Sequence, residues 1–416
     1  MKEYIFKTKQ WIQVSLFNFC VVALAGVTLR YKINFPLPLV NQKYLLEGHS
    51  NFAFTGWVSL VLMVLMVNYL QQINVITNYK KYHWILVAHC VVAYGILISF
   101  IIEGYAFFSI LCTTLSIFIS YFFIYFLWLD LRKVNDDSYA SKWFKAALML
   151  WAFSSLGAFM LAYLMASHNT TQDYYFGALY FFLHFQYNGW FLFVCFGLLF
   201  SYLYSKGFLP GVATGKKLFI IMAITVVPSY FLSVLWLKLP WILRATADVA
   251  GILQLLVMFY FVRLFLFFKK NISLRFTKTT KYLWIMASIA FIIKIILQML
   301  SIVPWLSHLA FGFRPIVIGY LHLSFLGIIT FFILGYINQA LNETFSSVSK
   351  PGVLIFAAGV LIQEIILMSQ GLEAINVEPL PYANIILFYT AILIAIGLIW
   401  IIVRMSSVKS LDLSKT

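Results

Sequence analysis

The chain has 416 residues, 63% of them hydrophobic and only 10% charged, with a formal net charge of +16. A water-facing domain carries about 25% charged residues, so this composition excludes a soluble enzyme and makes lipid the solvent. In lipid, the positive charge is read as the anchor of cytoplasmic loops, and no nucleic acid is expected as a partner.

Apolar runs long enough to cross ~30 Å of hydrocarbon as helices recur from end to end. Periodicity and charged breaks predict twelve spans, at 11–30, 47–70, 83–102, 105–128, 146–166, 175–204, 216–237, 242–268, 281–303, 314–340, 351–371 and 382–404. The first has no small-residue cleavage site after it and is read as a membrane helix rather than a removed signal. The second opens at His49, in GHSNFAFTGWVSLVLM. The third and fourth are divided at Glu103-Gly104, a charge beside a glycine, read as a tight turn. The sixth holds His184 in HFQYNGWFLFVCFG. Pro228 in the seventh and Pro304 after the ninth are expected to kink or end their helices. The tenth holds His322 in HLSFLGIITFFILG.

Charge sets the expected orientation. The N-terminus, the loops after the even-numbered spans and the C-terminus carry 22 Lys and Arg, against six (Arg30, Lys32, Lys43, Lys238, Arg244 and Arg314) on the other side. The positive-inside rule then predicts both termini in the cytoplasm. Cys20, Cys90, Cys112 and Cys195 all lie in apolar runs and form no CxxC pair, so neither a disulfide framework nor a zinc site is predicted.

The three histidine segments repeat. Each shows a His, an aromatic, a Gly five or seven residues on, and then an apolar run. The spacings between the histidines are 135 and 138 residues. This predicts an all-α membrane protein in a single transmembrane domain, with twelve transmembrane helices in three pseudo-repeats of four, approximately 11–130, 146–270 and 281–404. His49, His184 and His322 then sit in the outer part of the second helix of each repeat. His168 and His308 fall in the outer loops before the second and third of these helices.

An imidazole at membrane depth needs a partner. One reading is a hydrogen bond to a carbonyl or hydroxyl on the next helix. The other is metal or haem ligation, for which neutral imidazole suits iron and copper. The chain has no CxxCH, so a haem here is b-type rather than covalently attached. Arg314 and Arg244 lie on the outer side near the histidine layer. They are candidate partners for haem propionates, beside an ordinary role as loop anchors.

With twelve helices in three arcs and histidines in helices 2, 6 and 10, the chain resembles subunit I of the haem–copper oxidase superfamily. GHSNFAFTGW and HFQYNGW also resemble the His–Gly motifs of small oxidase-subunit-I-like proteins and of membrane haem–copper proteins linked to nitric oxide stress. The resemblance implies a b-type haem on His49 and His322, and a copper-ligand position at His184. It implies a bacterial-type inner membrane, an electron-donor partner such as a cytochrome, and oxidoreductase chemistry of the cytochrome oxidase or nitric oxide reductase type on O2 or NO. The chain also departs from the family. The seventh span, KKLFIIMAITVVPSYFLSVLWL, lacks the histidine pair that completes a copper site, and Tyr320-Leu321-His322 stands where oxidases carry His-x-His. A complete copper site is not expected, and what survives is one bis-His haem or one five-coordinate haem with an open face.

Two other classes stay open. Lys294 and Glu364 lie mid-span, where each costs ~2.5–3.5 kcal/mol to insert. They are read either as an ion pair or, with Asp248, as the coupling site of a secondary transporter; Asp248 also stands one turn from Arg244. Three repeats of four helices argue against the usual two-fold transporter plan. The third class is a cofactor-free subunit of a membrane complex.

Overall fold

In hydrocarbon every backbone N–H and C=O must be answered inside the protein, and a helix does this along its own length. The computed structural model describes residues 5–135, 137–169, 171–271, 276–341, 349–376 and 380–407, excluding the side chains at 209–210, 268–271, 309–310, 374–376 and 405–407. Among the described residues it is helical throughout, with no strand. Of the charges counted above, Lys2, Arg275, Lys409 and Lys415, and the side chains of Lys269 and Lys270, lie outside the described residues.

The helices are α1 (Thr8–Asn34), α2 (Gln42–Gln72), α3 (Lys80–Glu103), α4 (Phe107–Leu131), α5 (Ala140–Ala166), α6 (Gln172–Ser205), α7 (Leu209–Thr225), α8 (Trp241–Asn271), α9 (Lys278–Leu300), α10 (Pro304–Gly312), α11 (Arg314–Ala340), α12 (Lys350–Asn376) and α13 (Ala383–Ser407). Eleven are long and apolar enough to cross a membrane. A twelfth span forms if α7 is joined to the 3₁₀ turn Pro228–Val234, from which it is bent by 57°. The chain is a helical integral membrane protein.

Each predicted span corresponds to a helix. Pro228 opens the bent 3₁₀ turn, and Pro304 starts the short α10 after α9 has ended. The expected turn at Glu103-Gly104 is present. Gly104 adopts φ +66°, ψ −141°, and the Glu103 carboxylate accepts the Ser109 N–H at 2.8 Å, capping the start of α4.

The contacts divide into two units. The first contains Met1–Phe123, Thr277–Leu283 and Ile333–Thr416; the second contains Ile124–Phe276 and Trp284–Phe332. In the first, α12 packs along α13, and α13 along α1. Bare glycines allow the α12–α13 approach: a Cβ at Gly397 would strike the Phe356 backbone, and one at Gly359 would come within 2.8 Å of Ile394. Small residues serve helix pairs in lipid in this way. In the second unit α5 packs on α6, and α8 on α7.

The three helices that carry His49, His184 and His322 are the most enclosed. In α2, α6 and α11, 89%, 83% and 61% of the apolar core is buried by protein, against 22–44% in the other eight spanning helices. Polar side chains in their buried stretches therefore face protein rather than lipid.

Gly104→Ala forces a side chain into a glycine-only conformation and against the Tyr44 ring. It should destabilise the protein by roughly 1–3 kcal/mol, read as a lower unfolding midpoint in detergent.

Candidate functional site

Each of the three enclosed helices widens into a π-helical stretch: Ala53–Ser59 in α2, Phe185–Phe191 in α6 and Leu323–Thr330 in α11. A π turn breaks the i→i−4 ladder and frees carbonyls for other partners; such turns are frequent at functional sites. Each stretch contains the glycine of its histidine segment. Gly189 lies against Leu150 of α5, where a Cβ would come within 2.8 Å, and Gly327 against Ala290 of α9, within 3.2 Å. His184 and His322 immediately precede their stretches, five residues before the glycine. At that register in α2 stands Asn51, and His49 lies half a turn earlier.

In the first unit, the half-buried His49 donates from Nδ1 to the Val22 carbonyl of α1, at 3.1 Å. Gly26 lies one turn along α1, where a Cβ would approach the imidazole Cε1 to 3.4 Å. With Nδ1 protonated, Nε2 carries the lone pair. The two carbonyls of the π stretch are held from both sides. His89 Nε2 of α3 donates to Thr55 O at 3.0 Å, and Asn18 Nδ2 of α1 donates to Gly56 O at 2.8 Å. Asn18 Oδ1 in turn accepts the Tyr94 hydroxyl at 2.8 Å. Next to this network Trp57 stacks on Phe19 with centroids 4.5 Å apart and planes 6° apart.

His89 and Asn18 escaped the sequence reading. The available signal was an ionisable residue deep in a predicted span, but His89 has no glycine motif beside it and no counterpart at the repeat spacing.

In the second unit His184 is fully buried. Its Nε2 donates to the Val226 carbonyl at 2.7 Å, and its Nδ1 accepts from Asn188 Nδ2 at 3.1 Å. Val226 is exposed to this bond because the helix breaks beside it: the Tyr230 N–H turns back to Val227 O instead, at 3.1 Å. The Tyr230 hydroxyl also ties the 3₁₀ turn to Gly177 O of α6, at 3.0 Å. Both nitrogens of His184, the expected copper-ligand position, are thus engaged by protein, and the bond to Val226 links α6 to the broken seventh span. Gln186 donates to Ser154 Oγ at 3.0 Å, and Trp190 stacks on Trp151 at 4.1 Å and 8°.

His322 of α11 is half-buried and donates from Nδ1 to its own Ile318 carbonyl at 2.9 Å. Tyr320, where oxidases carry a second histidine, packs edge-on to Tyr187 at 6.2 Å.

The remaining candidates are distributed as follows. Arg244 donates to the Ile302 carbonyl, and its Nε lies 3.4 Å from Asp248, so the neighbour pairing read from the sequence is formed. Arg314 is exposed at the first residue of α11. His168 (φ +51°) and His308 are both exposed in the segments leading into α6 and α11. Lys294 is 4% exposed and donates to Gln298 Oε1 one turn on, at 3.1 Å. Both Glu364 oxygens are buried with no hydrogen-bond partner among the described residues. Lys294 belongs to the second unit and Glu364 to the first. Among the described residues, no three His, Cys, Asp or Glu side chains gather as a metal site.

No protein-family model matches the chain, and no curated protein sequence matches it.

Asn18→Leu leaves the Gly56 carbonyl and the Tyr94 hydroxyl without their partner. It should cost about 1–3 kcal/mol, and Tyr94→Phe about 0.5–1.5 kcal/mol, measured as losses of unfolding free energy in mixed micelles.

Proposed function

We propose that the chain is a haem-binding integral membrane protein related to oxidase subunit I, with His49 of the first unit or His322 of the second as the candidate haem ligand. One observation carries the reading. The His49 imidazole donates Nδ1–H to the Val22 carbonyl of α1 and keeps Nε2 basic. Metal-bound histidines are oriented in this way, with the second nitrogen held by a carbonyl or carboxylate. His184 lacks that arrangement, and the proposal includes no copper site. A bound haem would supply a one-electron couple and, with one axial position open, a seat for O2 or NO. The residues of this chain would orient the ligand imidazoles, fix their tautomers and keep the site dry. Of the candidate propionate partners, Arg314 is exposed and has no ion-pair partner among the described residues, whereas Arg244 is engaged by Asp248 and Ile302.

The finer organisation belongs to the same proposal. Three pseudo-repeats of four helices are supported by the three π stretches. They are also supported by the matched ring pairs Phe19–Trp57 and Trp151–Trp190, separated by 38 and 39 residues in sequence. Cytoplasmic termini are supported by the bias in lysine and arginine, and a bacterial-type inner membrane by the resemblance to oxidase subunit I. A cytochrome or other electron-donor subunit is the expected partner. The unpartnered Glu364 carboxyl favours one rival, an ion- or proton-coupled transporter.

A reduced-minus-oxidised visible spectrum of the protein purified from haem-replete cells separates the two. The expected result is a sharp b-type α-band, lost in His49→Ala or His322→Ala and retained in His184→Ala. A flat wild-type spectrum rejects the haem, and equal loss in all three variants rejects the ligand assignment.

A further inference from the structure

Tyr139 precedes α5 with φ +64°, a left-handed conformation rare for a residue with a side chain. Its ring is fixed edge-on against Phe219 of α7 at 6.0 Å, and Phe219 packs on the buried Trp143 at 5.0 Å. Two ammonium groups from different helices converge on this one ring. Lys142 Nζ of α5 lies 3.9 Å from its centroid and Lys216 Nζ of α7 lies 5.5 Å away. Together the two ammonium groups hold the phenol below its ordinary range, Lys142 most of all.

Both lysines are exposed, and neither has a carboxylate partner among the described residues. Loop anchoring accounts for lysines at a membrane edge, but it does not bring two like charges onto one aromatic ring. Beneath them the two helices turn apolar faces outward. Met149, seven residues past Lys142, is 62% exposed, and Ile224, eight past Lys216, is 63% exposed. Those spacings keep each pair on one helix face. The cations therefore sit about two turns along their helices from outward-facing apolar residues of the kind that meet acyl chains.

We propose that Lys142, Lys216 and the Tyr139 phenol form a binding site for the phosphate of an anionic phospholipid, whose acyl chains lie on the exposed faces of α5 and α7. The phosphate would supply the negative charge that the two ammonium groups lack, and the phenol would donate to a phosphate oxygen. The site belongs wholly to the second unit and does not depend on the haem reading.

The test is thermal unfolding of the full-length protein in neutral detergent, titrated with phosphatidylglycerol, phosphatidylcholine or inorganic phosphate. Phosphatidylglycerol should raise the wild-type midpoint, with little effect from the other two. The Lys142→Gln/Lys216→Gln double variant should need roughly tenfold or more phosphatidylglycerol for the same shift, each lysine near a lipid surface being worth about 1 kcal/mol. The Lys142→Arg/Lys216→Arg variant should keep the wild-type response. An unchanged titration in the glutamine variant, or equal protection by phosphatidylcholine, overturns the site. Equal protection by inorganic phosphate overturns its assignment to a lipid.

Discussion

The constraint on which this structure depends is that a carbonyl in hydrocarbon must have a donor. Three enclosed helices each interrupt their own ladder with a π stretch, and the seventh span interrupts its ladder at Pro228. Side chains from neighbouring helices then bond the carbonyls set free. His89 and Asn18 serve Thr55 and Gly56, and His184 serves Val226. These bonds tie helices together laterally, which apolar contact in lipid does weakly because the surrounding tails are as apolar as leucine. The polar residues at the centre of each unit thus follow from the irregular backbone beside them.

The same stretches explain the aromatic and glycine pattern. A widened turn needs space beside it, and Gly189 and Gly327 supply that space against Leu150 and Ala290. The tryptophan after the glycine, in α2 and α6, is held flat against an aromatic ring of the preceding helix. The histidines lie just before these turns but serve different ends. One pattern in sequence therefore covers different uses of imidazole: His184 is bonded at both nitrogens, while His49 bonds the preceding helix through Nδ1 and His322 bonds its own preceding turn.

Much of this was legible in the sequence, because lipid imposes simple rules. The twelve apolar runs, the turn at Gly104 and the breaks at Pro228 and Pro304 depend on local composition, and all four features are present. The candidate site was only partly legible. His49, His184 and His322 could be found by their spacing, but the tautomer of each depends on carbonyls 27 residues upstream, 42 downstream and 4 upstream, which no motif records. His89 and Asn18 were missed for the same reason, since their partners are backbone groups and leave no residue type to read.

A π stretch also acts as a phase shifter. It accommodates one residue more than an α-helix of the same rise, so the azimuth of everything beyond it is rotated by about 100° relative to an unbroken helix. In α2 this means that the faces of Gln42–Phe52 and Leu60–Gln72 are set independently. The first segment can aim His49 at Val22 while the second buries Leu60 to Leu70. A one-residue deletion between Ala53 and Ser59 would restore a regular helix and swing one of these faces away from its partners. A composition-neutral change in length would therefore reach farther through this molecule than most changes of side chain.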